Sequence, residues 1–175
     1  MTSTLAVDAI EVDLGGHPGA RRLLDWWHAE QARTGATPRR ATFDPAQFAD
    51  LLGAINQIQR EADGRLRFRV RGERLISLWS PLSAVQYVDQ LEPAAYRDLV
   101  TQNYLAAMAG GVPTASRVTI IVDDLRPLIY RRLTLPLLDQ VGAADCLLMF
   151  NVDSLDPNYR HHAYDVFTAL ARDAL

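Results

Sequence analysis

The sequence predicts an α+β fold built on an antiparallel sheet. Residues 66–70 alternate apolar with arginine side chains, a period of two that is typical of a strand with one buried face. After Gly72 the apolar residues recur at spacings of three and four, which indicates a short amphipathic helix. Asp63-Gly64, before the strand, favours a tight turn from an earlier strand. Since every close strand connection is predicted to be a hairpin, we expect antiparallel strands and segregated helices.

Five helices are predicted from capping residues and apolar stripes. Asp44 can accept hydrogen bonds from free backbone amides, and Pro45 would occupy the first helical position, where its missing N–H costs nothing. A glycine pair at residues 110–111 ends the helix that is expected to be the longest. The predicted helices begin at Pro18, at Asp44-Pro45, after Gly72, at Glu92-Pro93 and at Asp156-Pro157.

Five strands complete the predicted fold. β-branched residues dominate residues 118–122, as strands prefer. Asp123-Asp124 is expected to turn the chain rather than to act as an acid pair, because adjacent strand-end carboxylates point to opposite faces. The predicted strands cover residues 55–61, 65–71, 113–122, 128–138 and 146–152.

The chain is expected to form one domain with helical extensions. At 175 residues it can bury a sizeable core without disulfides or metal ions. Residues 1–17 show little pattern and are expected to be a loose N-terminal arm. The domain itself is predicted over residues 18–152, and a closing helix over residues 153–175.

Charge and cysteine content exclude several classes of protein. The formal net charge is −3, whereas a nucleic-acid binder would carry a basic excess in one region. The one cysteine, Cys146, lies in an apolar run and is expected to be a small core residue. The N-terminal residues carry acids where a signal peptide needs positive charge, and no apolar window is long enough to cross a membrane. We therefore expect a cytoplasmic protein.

Five short segments, in this order, resemble the short stand-alone PAS domain family of bacteria, particularly of alphaproteobacteria. They cover roughly residues 20 to 152 and are Leu24-Asp25-Trp26-Trp27, Pro38-Arg39, Asp44-Pro45 with Leu51-Leu52, residues 68–75 and residues 130–137. The resemblance implies a five-stranded antiparallel sheet in the order 2-1-5-4-3. It also implies that helices after the second strand cover one face and enclose a small cavity, and that the N-terminal helix packs elsewhere on the domain or on a second copy.

No catalytic constellation is recognisable in the sequence, so the candidate site is a binding site. Tyr87, Tyr104 and Trp79 could line the cavity, although aromatic residues at such spacing are more often plain core. Arg69 and Arg132 are the basic candidates. None of these side chains is a good base near neutral pH, so catalysis is not expected. The ligand or cofactor is not identified by the sequence.

Two further patterns have a functional and a purely structural interpretation. Arg67, Arg69 and Arg71 share one predicted strand face, which could bind an anion or could be a solvated face with ion pairs. Adjacent histidines at residues 161–162 point about 100° apart on a helix and have no third ligand nearby, so no metal site is predicted.

The neighbouring tryptophans of the first helix are the candidate interface. Trp26 and Trp27 cannot both face the same core, so one could lie at a contact with a partner, where tryptophan is enriched. The alternative is that the sheet and the N-terminal arm cover both.

The predicted function is that of a non-catalytic sensory or protein-interaction domain in bacterial signalling. The resemblance implies a homodimer that passes its signal to another protein and could hold a small ligand in its cavity. The alternative is a small enzyme or carrier on an α+β cone-shaped fold that binds an apolar ligand. A closed, fully packed cavity would count against both ligand interpretations and favour protein interaction.

Overall fold

The chain folds into a six-stranded antiparallel sheet with helices on both faces. The computed structural model describes residues 5–76, 85–122 and 125–173. Its strands lie in the order β1-β4-β5-β6-β2-β3. When β1 is left out, the other five strands are renumbered one to five and the sheet is read from its β3 edge, this order becomes 2-1-5-4-3. The predicted strand order is therefore confirmed. The strands are β1 (Leu5–Glu11), β2 (Ile55–Arg60), β3 (Leu66–Val70), β4 (Thr114–Val122), β5 (Leu128–Leu137) and β6 (Cys146–Asn151).

The sixth strand corrects the expected loose arm at residues 1–17. β1 pairs with β4 along its whole length, from Leu5 opposite Val122 to Glu11 opposite Ser116. Val7 and Ala9 pack against the core, so the strand covers apolar surface as well as an otherwise open sheet edge. Sequence reasoning missed it because alanines weaken the alternation and the partner strand lies more than a hundred residues away.

The helices follow the predicted order, with two corrections. They are α1 (Pro18–Thr34), α2 (Glu73–Ile76), α3 (Ala94–Gly110) and α4 (Pro157–Asp173). The segment after Asp44 is a 3-10 turn over Pro45–Phe48, although Asp44 does cap it by accepting from the backbone amide of Ala46 at 3.0 Å. α3 is not the longest helix, because α1, α3 and α4 each contain 17 residues. In the part of the chain that is described, no helix is long and apolar enough to cross a membrane.

Each face of the sheet carries its own apolar core. On one face α3 and α4 pack over residues such as Val118, Ile120 and Tyr130. On the opposite face α1 packs its buried Leu23 and Trp27 over a second core. The alternation of side chains along β5 explains the division, because Leu128 and Tyr130 point to one face while Leu133, Leu135 and Leu137 point to the other. The helical cover after the second strand and the separate packing of the N-terminal helix agree with the implied architecture.

Candidate functional site

A small cavity lies between the sheet and the helices α2, α3 and α4. Its volume is about 40 Å³. Drug-sized ligands need pockets of roughly 300–1,000 Å³, whereas one water needs about 10–15 Å³, so this cavity has room for a few water-sized groups. The lining residues are Asn56, Phe68, Arg71, Leu75, Leu91, Tyr96, Val100, Tyr104, Tyr130, Met149, Asn151, Tyr159 and Phe167.

Four buried or half-buried tyrosines dominate the polar surface of this cavity. The hydroxyl oxygens of Tyr96 and Tyr130 are 2.9 Å apart and share a hydrogen bond. The Tyr159 hydroxyl accepts from Nδ2 of Asn151 at 3.2 Å. Burial raises the pKa of Tyr96 and of Tyr159 well above the usual value and raises the pKa of Tyr104 to about 12. These hydroxyls therefore stay protonated near neutral pH and act as hydrogen-bonding groups rather than as bases.

The remaining polar groups of the cavity hold the junction between β3 and α2. Oδ1 of Asn56 accepts from the buried backbone amide of Gly72 at 3.0 Å. Arg71 donates to the carbonyl oxygen of Val85 at 2.9 Å, and its guanidinium lies 5.6 Å from the ring centre of Phe68. Desolvation lowers the pKa of Arg71, which remains charged because arginine titrates far above neutral pH. Among the described lining residues there is no Asp, Glu, His or Cys.

The shared tyrosine hydrogen bond yields a stability prediction. Tyr130→Phe is expected to lower the free energy of unfolding by about 1–2 kcal/mol, because a buried hydroxyl loses its partner. Urea unfolding of Y130F, Y96F and the double variant should give a coupling energy of about 0.5–1.5 kcal/mol. Tyr164→Phe, at an exposed position of α4, is the control and should change stability by less than about 0.5 kcal/mol. Additive effects of the two buried substitutions would contradict the shared bond.

A second notable surface is an uncovered part of the sheet, which we call the isoleucine face. It comprises Ile10 on β1, Ile121 on β4 and Ile129 on β5, which are 44%, 45% and 50% exposed. The strand register places all three on the face opposite the cavity, with exposed Asp8 and Arg117 between them. α1 covers the rest of this side of the sheet and leaves the three isoleucines exposed.

Comparison with known proteins decides the family. A family model described as PAS domain matches residues 16–149. The chain belongs to the PAS domain family. No curated protein matches it. Among solved structures it is similar to an RNA-binding Light-Oxygen-Voltage receptor, with a TM-score of 0.42 and 11% sequence identity, over 97% of this chain and 44% of that one. The chain thus spans less than half the length of that receptor, and RNA binding is a property stated for the receptor alone.

The predicted ligand-binding residues of this PAS domain fall in different places. Tyr104 lines the cavity. Trp79 lies outside the described residues. The side chain of Arg69 is exposed and is not part of the cavity wall. Tyr87 also lies away from the cavity, since its hydroxyl donates to Glu61 at 3.2 Å. Arg132 is buried beside Tyr104 but lines a separate groove.

The three arginines that share a predicted strand face have different environments. Arg67 forms an ion pair with Glu61 at 3.2 Å, while Arg69 is exposed. Arg71 reaches the cavity because it lies one residue beyond the end of β3, where strand alternation no longer fixes its direction. The sequence analysis did not include Asn56 among the site residues. A signal existed, because Asn56 shares a strand face with Ile58, and a polar residue on a buried face indicates a specific hydrogen-bonding role.

The two tryptophans of the predicted interface are buried to different extents in the PAS domain. Trp27 is 1% exposed and donates from Nε1 to the carbonyl oxygen of Pro136 at 2.8 Å. Trp26 is half-buried, with its ring edge-on to Phe43 at 5.2 Å and to Phe48 at 6.3 Å. Trp26 thus packs on residues 43 and 48 rather than on the N-terminal arm, and its role at an interface stays a prediction.

The adjacent histidines make separate contacts. His161 lies 4.0 Å from Asp165 on the exposed side of α4, and Nε2 of His162 lies 3.3 Å from the carbonyl oxygen of Pro127. Within the described residues no group of three His, Cys, Asp or Glu side chains is placed to hold a metal ion.

Proposed function

We propose that this PAS domain is a non-catalytic sensory or protein-interaction module of bacterial cytoplasmic signalling that works as a homodimer. The observation that carries the proposal is the isoleucine face. Three large apolar side chains are exposed together on the sheet, and an apolar patch of a few hundred Å² on a protein surface is often a functional contact. The face is also continuous with the sheet that forms one wall of the cavity, so a change in the cavity can alter the packing of the partner.

A second copy of the chain is the partner that the charges favour. Asp8 and Arg117 are exposed on the isoleucine face, and neither forms an ion pair with another described residue. Two copies related by a two-fold axis can place Asp8 of each against Arg117 of the other, so that the contact is self-complementary. Pairing of two β1 edges in full overlap would instead place Asp8 opposite Asp8, which is repulsive. Packing through the face is therefore favoured over pairing through the edge.

The size of this face supports a weak dimer. Three strands spaced 4.8 Å apart over about 20 Å give a contact of about 300 Å² per partner. Stable complexes bury about 800 Å² per partner. We therefore expect a dimer that dissociates in the micromolar range or above, a strength that suits reversible signalling. Trp26, half-buried within its own chain, offers less apolar surface and would lie outside this contact.

Sedimentation velocity over a range of concentrations tests the dimer. Ile129→Lys is expected to weaken association at least tenfold, because it buries a charge without a partner. Val141→Lys, at an exposed turn position away from the face, is the matched control and should leave association unchanged. Equal behaviour of I129K and V141K would contradict the proposed interface.

A charge exchange tests the geometry more sharply. D8R and R117D should each be monomeric, because each brings like charges together across the two-fold axis. An equimolar mixture of the two variants should dimerise, because both opposed pairs are then attractive. A mixture that stays monomeric while the wild-type protein dimerises would place the interface elsewhere.

The cavity supports at most a very small ligand in this conformation. Its volume of about 40 Å³ is far below that of a drug-sized pocket, and its described wall offers no acid or base for catalysis. The alternative of a cone-fold enzyme or apolar carrier is therefore not favoured. Native mass spectrometry of the purified protein, at a concentration above the dissociation constant of the dimer, should show dimer mass without a retained organic cofactor. A bound mass of several hundred daltons would overturn the interaction proposal in favour of a cofactor sensor.

A further inference from the structure

Arg132 is a buried cation whose partners are all neutral. Its side chain lies between β5 and α3 and is 2% exposed. Nε donates to Oγ of Ser116 at 3.1 Å, and Nη2 donates to Oδ1 of Asn103. The guanidinium also lies 5.4 Å from the ring centre of Tyr104. Among the described residues no carboxylate lies within ion-pair distance of it.

This arrangement leaves a buried positive charge without a counter-charge. Burying an ionised group costs free energy unless an opposite charge or several hydrogen bonds compensate it. A guanidinium has five N–H donors. Ser116 and Asn103 accept from two of them, and the Tyr104 side chain forms a further hydrogen bond with the guanidinium, which leaves two donors for a ligand. The site therefore has the capacity to accept an anion.

A groove of about 260 Å³ opens beside this guanidinium. Its walls come from β1, β4, β5 and α3, and they combine small apolar residues with hydroxyl groups. It shares no lining residue with the tyrosine-lined cavity. The groove is lined by Ala9, Ile10, Glu11, Asn103, Ala106, Ala107, Thr114, Ala115, Ser116, Arg132 and Thr134.

We propose that this groove binds a small aliphatic carboxylate through Arg132. The planar fork of a guanidinium matches the two oxygens of a carboxylate, and the alanine methyl groups suit a short carbon chain. The groove is somewhat smaller than a drug-sized pocket, which limits the ligand to a few carbon atoms. This proposal does not rest on the homodimer, since Arg132 lies on the sheet face opposite the isoleucine face, and of the residues that define that face Ile10 alone also lines the groove.

Glu11 is a negative charge in the same groove and weakens the binding of any anion. It lines the same groove two strands away from Arg132, about 10 Å between Cα atoms. A dianion such as phosphate would be repelled by Glu11 about twice as strongly as a monocarboxylate. Arg132 also attracts a dianion more strongly, so the preference for a carboxylate over phosphate rests on the apolar groove wall, which a carbon chain fills and phosphate does not. Glu11→Gln should raise the affinity for a monocarboxylate about twofold, because it removes a like charge about 10 Å away.

NMR titration of the folded protein with sodium butyrate and with inorganic phosphate tests the proposal. Butyrate is expected to shift resonances of Asn103, Ser116 and their neighbours in a saturable way, and phosphate is expected to bind more weakly. Equal shifts with both anions would overturn the carboxylate assignment. Absence of saturable shifts around the groove at tens of millimolar butyrate would overturn the site.

Two variants on α3 separate binding from folding. Ala106→Leu places a bulky side chain in the groove at an exposed helical position, so it should reduce butyrate affinity at least tenfold while the protein stays folded. Ala109→Leu, also exposed on α3 but outside the groove, is the matched control. Arg132→Gln should abolish the saturable shifts, and unchanged binding in A106L would contradict the groove as the site.

Discussion

Replacement of Trp27 by alanine is expected to lower the free energy of unfolding by about 3–5 kcal/mol. The side chain is 1% exposed and fills the core between α1 and the sheet. Its Nε1–H group donates to the backbone oxygen of Pro136 at 2.8 Å, so the substitution also leaves a buried acceptor without its donor. Because domains of this size are stable by about 5–15 kcal/mol, the variant should be close to unfolding at room temperature.

Urea unfolding followed by far-ultraviolet circular dichroism measures this loss of stability. Two further variants provide values with which it can be compared. Trp27→Phe keeps most of the ring but loses the donor, so it should cost about 1–2 kcal/mol. Trp26→Ala removes a half-buried ring that packs on Phe43 and should cost clearly less than Trp27→Ala. Equal losses at Trp26 and Trp27 would contradict the assignment of Trp27 as the residue that anchors α1.

The hairpins could be predicted from local patterns, whereas the strand order 2-1-5-4-3 was implied by the resemblance to the PAS family. The alternation in residues 66–70 and the turn at Asp63-Gly64 define a hairpin from sequence alone, and the structure has β2 and β3 paired there. β1 could not be predicted in this way. Its pairing with β4 joins residues that are distant in sequence, and no turn residue signals the connection.

The candidate site was less predictable than the fold because side-chain direction is set by tertiary packing. Tyr96 and Tyr130 share a hydrogen bond across 34 positions of sequence, which no spacing rule connects. Arg71 points into the cavity because β3 ends one residue earlier. Tyr104 lines the cavity, as its position on the apolar stripe of the predicted helix indicated. Helical periodicity was therefore a more reliable guide to side-chain direction than strand alternation.

The cavity and the Arg132 groove lie on one face of the sheet and the isoleucine face lies on the other, so that a shared strand gives a physical basis for coupling between them. β5 carries Tyr130 and Arg132 on one face and Ile129 on the other. A shift of this strand that follows a change at Tyr130 must move Ile129, because adjacent residues share a backbone. Coupling of this kind would be measured as a change in dimer affinity in Y130F.

Among the glycines, Gly72 is the one at which an added methyl group is expected to lower stability most. A Cβ atom there would lie 2.4 Å from the carbonyl oxygen of Gly53 and 2.9 Å from that of Ile55, both of them backbone atoms that cannot rotate away. Its amide also donates to Asn56 inside the core. Gly72→Ala is therefore expected to lower the free energy of unfolding by about 3 kcal/mol, the upper range for overpacked sites.

Gly110→Ala provides the matched control, because a Cβ atom at Gly110 would meet nothing within 4 Å. Since Gly110 lies in α3, this change should be neutral or stabilise the protein by up to about 1 kcal/mol. Urea unfolding measures both variants, and amide spectra of G72A should show changes centred on Asn56 and Leu75, which line the cavity on either side of the junction. A G72A protein as stable as G110A would mean that residues 53–55 and 72 do not approach each other as closely as the junction requires. The expected loss of stability in G72A would show instead that the backbone contact at Gly72, rather than the change of period in the sequence, fixes where α2 begins and where the cavity wall lies.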